Sequence, residues 1–303
     1  MIMPYKSIFN AKHSYADGVT VYIPTNNRLH LLKRAVESVL SQDFSDLFLL
    51  VVDDGSTDGT ADFLKKLSSR DHRVIVLSNP VPRGACYSRN LAIMSTETEL
   101  VTGLDDDDYL LPFHISSLVQ EYLRRIAASD EAVVFPGMLI KRSENKISRN
   151  RHQRMVVSFR DLLSSNRAGN QALTSTYLLQ SIGGFDESLT AWQDFELWIR
   201  LAKRVGTLYC TGVYSYVQDV SHDMNRISGK PPEVLHSAYD IVARKHLYGS
   251  SNRELLKLKL NYHCYTQVPL SVNELWLYLK SGIIVKPMYY FARKTFRSAL
   301  WRL

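Results

Sequence analysis

The chain has 303 residues, of which 45% are hydrophobic and 22% charged, with a formal net charge of +7. That is enough apolar sequence to bury a sizeable core, which excludes a disordered tail or a small disulfide-stapled module. Cys86, Cys210 and Cys264 are odd in number and share no C-x-x-C spacing, so neither a disulfide framework nor a thiolate zinc site is indicated, and reduced thiols are expected.

The segment from Met1 to Asp17 carries Lys6, Lys12 and His13 among scattered apolar residues and has no apolar stretch of signal-peptide length. Up to about Pro136, short apolar runs alternate with amphipathic stretches, the pattern of β-α-β units on a mostly parallel sheet. Strands are expected at Val19 to Ile23, Leu47 to Val52, Arg73 to Leu77, Glu99 to Leu104 and Ala132 to Phe135. Helices are expected at Leu29 to Leu40, Thr60 to Leu67, Ala85 to Met94 and Pro112 to Ile126. In such sheets ligands bind beyond the carboxyl ends of the strands. The residues to read are therefore Pro24 to Arg28, Asp53 to Ser56, and Asp105 to Asp108.

From Lys141 to Asn150 the chain turns polar and basic and reads as a mobile loop. A second helical block is expected next, then Gly183-Gly184-Phe185-Asp186-Glu187, then a helix from about Trp192 to Lys203. From Pro231 the pattern is helical to the end. This tail holds the charge excess: beyond Ser250, nine lysines and arginines face only Glu254 and Glu274. A helix starting near Pro287 would stack Met288, Ala292, Phe296, Ala299 and Leu303 opposite Arg293, Lys294 and Arg297, the pattern of an interfacial helix on anionic lipid. No apolar stretch approaches the roughly 20 residues that cross a bilayer.

Four consecutive aspartates after an apolar strand cannot be ordinary core, because a buried carboxylate is costly unless paired or metal-bound. Alternate members such as Asp105 and Asp107 present hard oxygen ligands for Mg²⁺ or Mn²⁺, which in turn grip a diphosphate. In the second acidic strand end, helix capping accounts for Ser56 and Asp58. Asp53 and Asp54 remain as acceptors for a base N–H or a ribose hydroxyl.

Ile23-Pro24-Thr25 with Asn27-Arg28, Ser41-Gln42-Asp43-Phe44, Val52-Asp53-Asp54-Gly55-Ser56-Thr57-Asp58, Arg89-Asn90 and Leu104-Asp105-Asp106-Asp107-Asp108 occur in that order. The ordered set resembles family 2 glycosyltransferases of the GT-A fold over roughly residues 18 to 228. The resemblance implies an α/β, Rossmann-like three-layer sandwich over residues 1–228 with a helical extension over 229–303. It implies a UDP-sugar donor bound by Pro24, Asn26, Asp53, Asp54, Arg89, Asp105 and Asp106, and Mn²⁺ or Mg²⁺ held by Asp107 and Asp105. Asn26 stands where the family commonly has tyrosine.

Trp192-Gln193-Asp194-Phe195-Glu196-Leu197-Trp198 is similar to the family's Glu-Asp-x-Glu-Leu-Trp signature, with Gln193 in place of the first glutamate. By that match Asp194 is the catalytic base of an inverting transfer, with Trp192 and Gln193 toward the acceptor and His222, Arg226 and Ser228 on a loop that closes over the diphosphate. The acceptor implied is a glycan or glycolipid such as a lipid-linked oligosaccharide, met by a peripheral protein on the cytoplasmic face of a bacterial plasma membrane. A sugar-phosphate nucleotidyltransferase would be expected to carry a glycine-rich loop where Pro24 to Arg28 stands. A nucleic-acid partner is not expected, since two acidic strand ends would face its phosphates.

Overall fold

The computed structural model describes residues 16–150, 153–222, 231–266, 268–284, 287, 288 and 291. Arg226, Ser228 and nearly all of the helix expected from Pro287 lie outside the described residues. Strands β1 (Ala16–Thr25), β2 (Leu47–Asp54), β3 (Val74–Asn79) and β4 (Thr98–Gly103) alternate with helices α1 (Leu29–Leu40), α2 (Thr60–Ser68) and α3 (Ala85–Met94). Both α1 and α3 match the sequence expectation residue for residue. β1 lies between β2 and β4 and is parallel to both. The loops leaving β1, β2 and β4 therefore converge at the point where strand order reverses, the usual ligand edge of such sheets.

Beyond β4 come β5 (Tyr109–Leu110), α4 (His114–Ile126), β6 (Val133–Ser143), β7 (Lys146–Arg149), β8 (Val156–Ser158), α5 (Phe159–Leu162), β9 (Leu173–Ser175), α6 (Thr176–Ser181), α7 (Gln193–Val205) and β10 (Thr207–Asp219). The sheet runs β3-β2-β1-β4-β9-β6-β10-β5, with β7 beside β6 and β8 beside β10. Two expectations need correction. The polar run 141–150 is a β-hairpin, because Lys141 is buried and its ammonium is paired with Glu144 at 2.6 Å and Asp219 at 3.6 Å. The helical block expected after it is broken up, with α5 between the short strands β8 and β9 and α6 directly after β9.

Side chains on β1 and β2 alternate between two cores. Tyr22, Leu50 and Val52 pack with residues of α3 and α7, while Val21, Ile23, Leu49 and Val51 pack with α1 and α4. A sheet covered on both faces needs such near-continuous apolar strands. Three further helices follow, α8 (Pro232–His246), α9 (Asn252–Thr266) and α10 (Val272–Lys280). Leu235, Ala238 and Val242 of α8 and Leu258 of α9 share a core with Phe195 and Trp198 of α7. Among the described residues, no helix is long and apolar enough to cross a membrane.

A buried polar knot fixes α7. Glu196, 1% exposed, accepts from Arg200 and lies 2.9 Å from His246 at the end of α8. Arg200 also donates to the carbonyls of Ile182 and Gly184, at 2.8 and 2.5 Å. Asn90 of α3 takes the neighbouring peptide, accepting from Phe185 N–H at 2.7 Å and donating to its carbonyl at 2.9 Å. Gly184 sits at φ +63°, and a Cβ there would meet Asn90 Oδ1 at 2.3 Å, so glycine is required. Removing the carboxylate would leave Arg200 and His246 uncompensated. Glu196→Ala is expected to lower the unfolding free energy by about 3 kcal/mol, measured by denaturant titration at pH 7; a change under about 0.5 kcal/mol would contradict this account.

Candidate active site

The four aspartates form a turn after β4, closed by the Asp108 N–H donating to the Asp105 carbonyl at 3.1 Å. Asp106 and Asp108 are buried, while Asp105 and Asp107 are half-buried at the edge of a cavity of about 520 Å³. Asp106 accepts from Thr25 Oγ1 at 2.8 Å and from Arg28 at 3.1 Å. Burial pushes its carboxyl up to about 6 against the pull of Arg28. Asp108 accepts from Tyr216 Oη at 2.7 Å and from the Asp219 N–H at 2.9 Å, and burial with the charges of Asp107 and Asp105 raises its pKa well above the ordinary range.

Asp105 and Asp107 also meet cations. Asp105 Oδ1 accepts from Arg89 at 2.9 Å and from Gln171 at 3.2 Å. Asp107 Oδ2 is 3.3 Å from Arg28 and 3.6 Å from His222 Nε2. Arg34 of α1 donates to the Asp107 carbonyl at 2.6 Å and pairs with Asp219 at 2.5 Å, tying the turn to the end of β10.

At the first strand ends, Asn27 takes φ +54°, a conformation asparagine tolerates better than most residues. Its N–H donates to Ser56 Oγ, and its side-chain oxygen accepts from Thr57 N–H at 2.8 Å. Asp58 accepts from the N–H of Leu29 at 2.9 Å and of Thr60 at 3.2 Å, so it serves the starts of both α1 and α2. Ser56, expected to cap α2, is used by Asn27 instead. Asn26 donates to the Asp54 carbonyl at 2.6 Å. Asp54 gathers the turn before α3, accepting from Asn79 Nδ2 at 2.6 Å, Arg83 N–H at 2.9 Å and Gly84 N–H at 2.7 Å. Although burial opposes it, these donors hold the Asp54 carboxyl below its ordinary range. Pro24, Asn26 and Asp54 line the cavity. Asp53 is buried with its Oδ1 accepting from Ser56 N–H at 3.0 Å, and it lies behind that wall.

The opposite wall is the start of α7. Trp192 adopts φ +59°, and the helix opens with Gln193, Asp194 and Glu196 in its first turn, where carboxylates complement the helix dipole. Gln193 accepts from Arg89 at 2.8 Å and donates to the Leu189 carbonyl at 3.0 Å. Arg89 thus bridges Asp105 to the residue before Asp194, with both terminal nitrogens engaged beneath the cavity floor. Asp194 Oδ2 accepts from Asn166 Nδ2 at 2.9 Å. Burial pushes the Asp194 carboxyl up to about 6, with the Asp105 charge adding to the shift and Arg89 opposing it. Trp192 is only 5% exposed and meets Phe195 and Tyr265 edge-on. Tyr265 of α9, 38% exposed, is the more accessible ring at that wall.

The oxygen donors present suit a hard divalent ion. Among the described residues no three carboxylate, imidazole or thiolate side chains converge on one point. Asp105 and Asp107 are the side chains that would hold such an ion.

The structure brings Pro24, Asn26, Asp54, Arg89, Asp105, Asp106, Asp107, Trp192, Gln193 and Asp194 to one cavity. His222 stands just behind Asp107. Sequence reasoning missed Asn166, Gln171, Leu235 and Tyr265, which also line it. Arg28 stood inside a motif but was given no role; the other four carried no spacing signal at all.

The model of the family described as Glycosyl transferase family 2 matches residues 20–182. WcaA of Escherichia coli K12, whose name provisionally assigns it to colanic acid biosynthesis as a glycosyl transferase, is 28% identical over 75% of this chain and 81% of its own. The GalNAc(5)-diNAcBac-PP-undecaprenol beta-1,3-glucosyltransferase of Campylobacter jejuni is 36% identical over 42% of this chain and 40% of its own. TarS 1–349 of S. aureus in complex with UDP-GlcNAc superposes with a TM-score of 0.69 at 15% identity, covering 93% and 92% of the two chains. The mannosyltransferase PcManGT of Pyrobaculum calidifontis, in complex with GDP-Man and Mn²⁺, gives a TM-score of 0.59 at 16% identity, over 89% and 74%. The fold is therefore the GT-A fold that the sequence pattern implied.

Asp54→Ala would strip the acceptor from two backbone N–H groups. Amide hydrogen exchange at Arg83 and Gly84 should accelerate at least about tenfold, corresponding to roughly 1.4 kcal/mol. Because the folded pKa of Asp54 is depressed, its contribution is present above the ordinary carboxylate range and lost as pH falls through the folded pKa. Unchanged exchange in the variant would contradict the assignment.

Proposed function

This chain belongs to glycosyl transferase family 2, and on that premise we propose that it moves a hexose or N-acetylhexosamine from a UDP-sugar to a hydroxyl of a lipid-linked oligosaccharide or polysaccharide, with inversion. The observation that carries this reading is the facing of two unlike acidic groups across one cavity: a cation-paired turn at Asp105 and Asp107, and a half-buried Asp194 whose pKa is raised to about 6.

In this reading Pro24, Asn26 and Asp54 form the wall for the nucleotide base, and the UDP complex of TarS and the undecaprenol-linked acceptor in the name of the Campylobacter relative support the two substrate classes. Asp105 and Asp107 would hold Mn²⁺ or Mg²⁺, whose chemistry is to neutralise the charge that the diphosphate carries as it leaves. Asp194 accepts the proton of the acceptor hydroxyl. The acceptor oxygen bonds to the anomeric carbon as the bond from that carbon to the diphosphate oxygen breaks. An α-linked donor therefore yields a β-linked product. Arg28 and Arg89 offset the charge of Asp107 and Asp105, and Arg34 ties the turn's backbone to the end of β10. Trp192, Gln193 and Tyr265 bound the acceptor end.

The reading keeps residues 1–228 as the transferase unit and gives 229–303 a second task, bringing the protein to an anionic cytoplasmic membrane surface. Val272, Trp276 and Leu279 lie on one face of α10 and are exposed, and Lys280 stands 4.4 Å from the Trp276 ring centroid. An apolar strip edged by cations is the chemistry that an anionic interface selects. Co-sedimentation with phosphatidylglycerol vesicles, and not with phosphatidylcholine vesicles, is expected, and Trp276→Glu with Leu279→Glu should weaken it at least fivefold. Equal recovery with and without vesicles would reject this part.

The transfer itself is tested by release of nucleoside diphosphate from a panel of UDP-, GDP- and dTDP-sugars, with Mn²⁺ or with EDTA. One UDP-sugar should turn over in a metal-dependent way. Asp107→Ala should abolish the metal dependence of donor binding, and Asp194→Asn should reduce turnover by at least about 100-fold while donor binding persists. Since the base is active only when deprotonated, log kcat/KM should fall with unit slope below about pH 6. The raised folded pKa means that ionising Asp194 costs stability as pH rises through that value, so Asp194→Asn should melt higher than the parent above pH 6. Metal-independent turnover, or full activity in Asp194→Asn, would sink the mechanism.

A further inference from the structure

We infer that Asn166 is the positioning residue for the base, an assignment that rests on the reading of Asp194 as that base. Asn166 lies in the turn between α5 and β9. Its side-chain oxygen accepts from the N–H groups of Ala168 at 3.2 Å and Gly169 at 3.1 Å. Two backbone donors admit only the amide oxygen on that side, so the network itself assigns the orientation of the amide. The NH₂ group therefore points the other way, donating to the Gly169 carbonyl and to Asp194 Oδ2, each at 2.9 Å.

The turn is held independently of Asn166. Trp198 Nε1 donates to the Gly169 carbonyl at 2.9 Å, and Gln153 Nε2 donates to the carbonyls of Ala168 at 3.2 Å and Pro136 at 2.9 Å. Trp198 lies about one turn along α7 from Asp194, so the turn grips this helix at two heights. Held at Oδ2 by Asn166 and from its own helix by backbone N–H groups, the carboxylate is kept in one orientation. The same oxygen is thus offered to each acceptor hydroxyl, and a base held in one orientation avoids the large losses that small misplacements cause.

The donor also has an electrostatic effect, because a hydrogen bond to the charged form favours that form. Asn166 works against the burial of Asp194. Within α7 the N–H groups of Phe195 and of Asp194 itself also donate to this carboxyl and favour its charged form. The other titratable groups facing it are Asp105 from the turn after β4, Arg89 and Cys86 from α3, and Tyr265 from α9, and none of these makes a hydrogen bond to it.

Asn166→Asp separates the two tasks. It keeps an oxygen for the N–H groups of Ala168 and Gly169 and replaces the donor aimed at Asp194 with a second carboxylate oxygen. A like charge at that distance raises the pKa of the pair. The acid limb of kcat/KM should move up by at least about one pH unit, and kcat at pH 7 should fall at least about tenfold, with donor KM unchanged and the near-ultraviolet circular dichroism retained. Asn166→Ser provides a second variant, since its hydroxyl can still accept within the turn but is too short to reach Asp194; the same direction of change, smaller, is expected. A folded variant whose pH profile superimposes on the parent's overturns the positioning role. Asp194→Asn assayed alongside distinguishes the failures: full activity there removes the base reading, whereas loss of activity with an unshifted Asn166→Asp profile removes only Asn166.

Discussion

The structure turns on the cost of placing four carboxylates in succession at the end of a buried strand. Two unit charges about 4 Å apart repel by about 4 kcal/mol at an effective dielectric constant near 20, so the turn cannot exist without compensation. Neutral hydrogen-bond donors supply part of it, Thr25 to Asp106 and Tyr216 to Asp108. Arg28, Arg34 and Arg89 supply the rest, from the β1–α1 loop, α1 and α3. The placement of these helices, and of β10 with its Tyr216 and Asp219, follows from what that turn requires.

Arg89 extends the same constraint to the far wall. With one nitrogen on Asp105 and another on Gln193, it fixes the start of α7 against the acidic turn. The knot of Glu196, Arg200 and His246 holds α7 from its other side and brings α8 against it. The helical extension thereby becomes part of the cavity through Leu235 and Tyr265. Glycosyl transfer needs such a division, with strongly paired charge where a diphosphate departs and a less stabilised carboxylate where a proton must be taken.

Much of this was legible in the sequence where local rules decide the outcome. The helices α1 and α3 follow from amphipathic periodicity, and the burial of an apolar strand up to Leu104 places the acidic run at its end. The polar stretch 141–150 misled because its lysine is buried by an aspartate at the end of β10, a partner distant in sequence. β10 itself escaped notice because Gly212, at φ +75°, and two register shifts against β6 interrupt its alternation. Asp53 and Asp54 look alike as neighbours, yet only one faces the cavity. Asn166 is the extreme case, since an asparagine in a polar run carries no spacing signal, and its role exists only once α7 is packed beside it.

The most direct test of the account is the anomeric configuration of the first product, followed by proton NMR of the transferred sugar during early turnovers with the α-linked UDP-sugar that the donor panel identifies. A single displacement driven from the Asp194 side predicts a β-configured anomeric proton with no α product preceding it. An α-linked product would contradict the account, because retention requires a chemistry that one base facing a departing diphosphate does not provide.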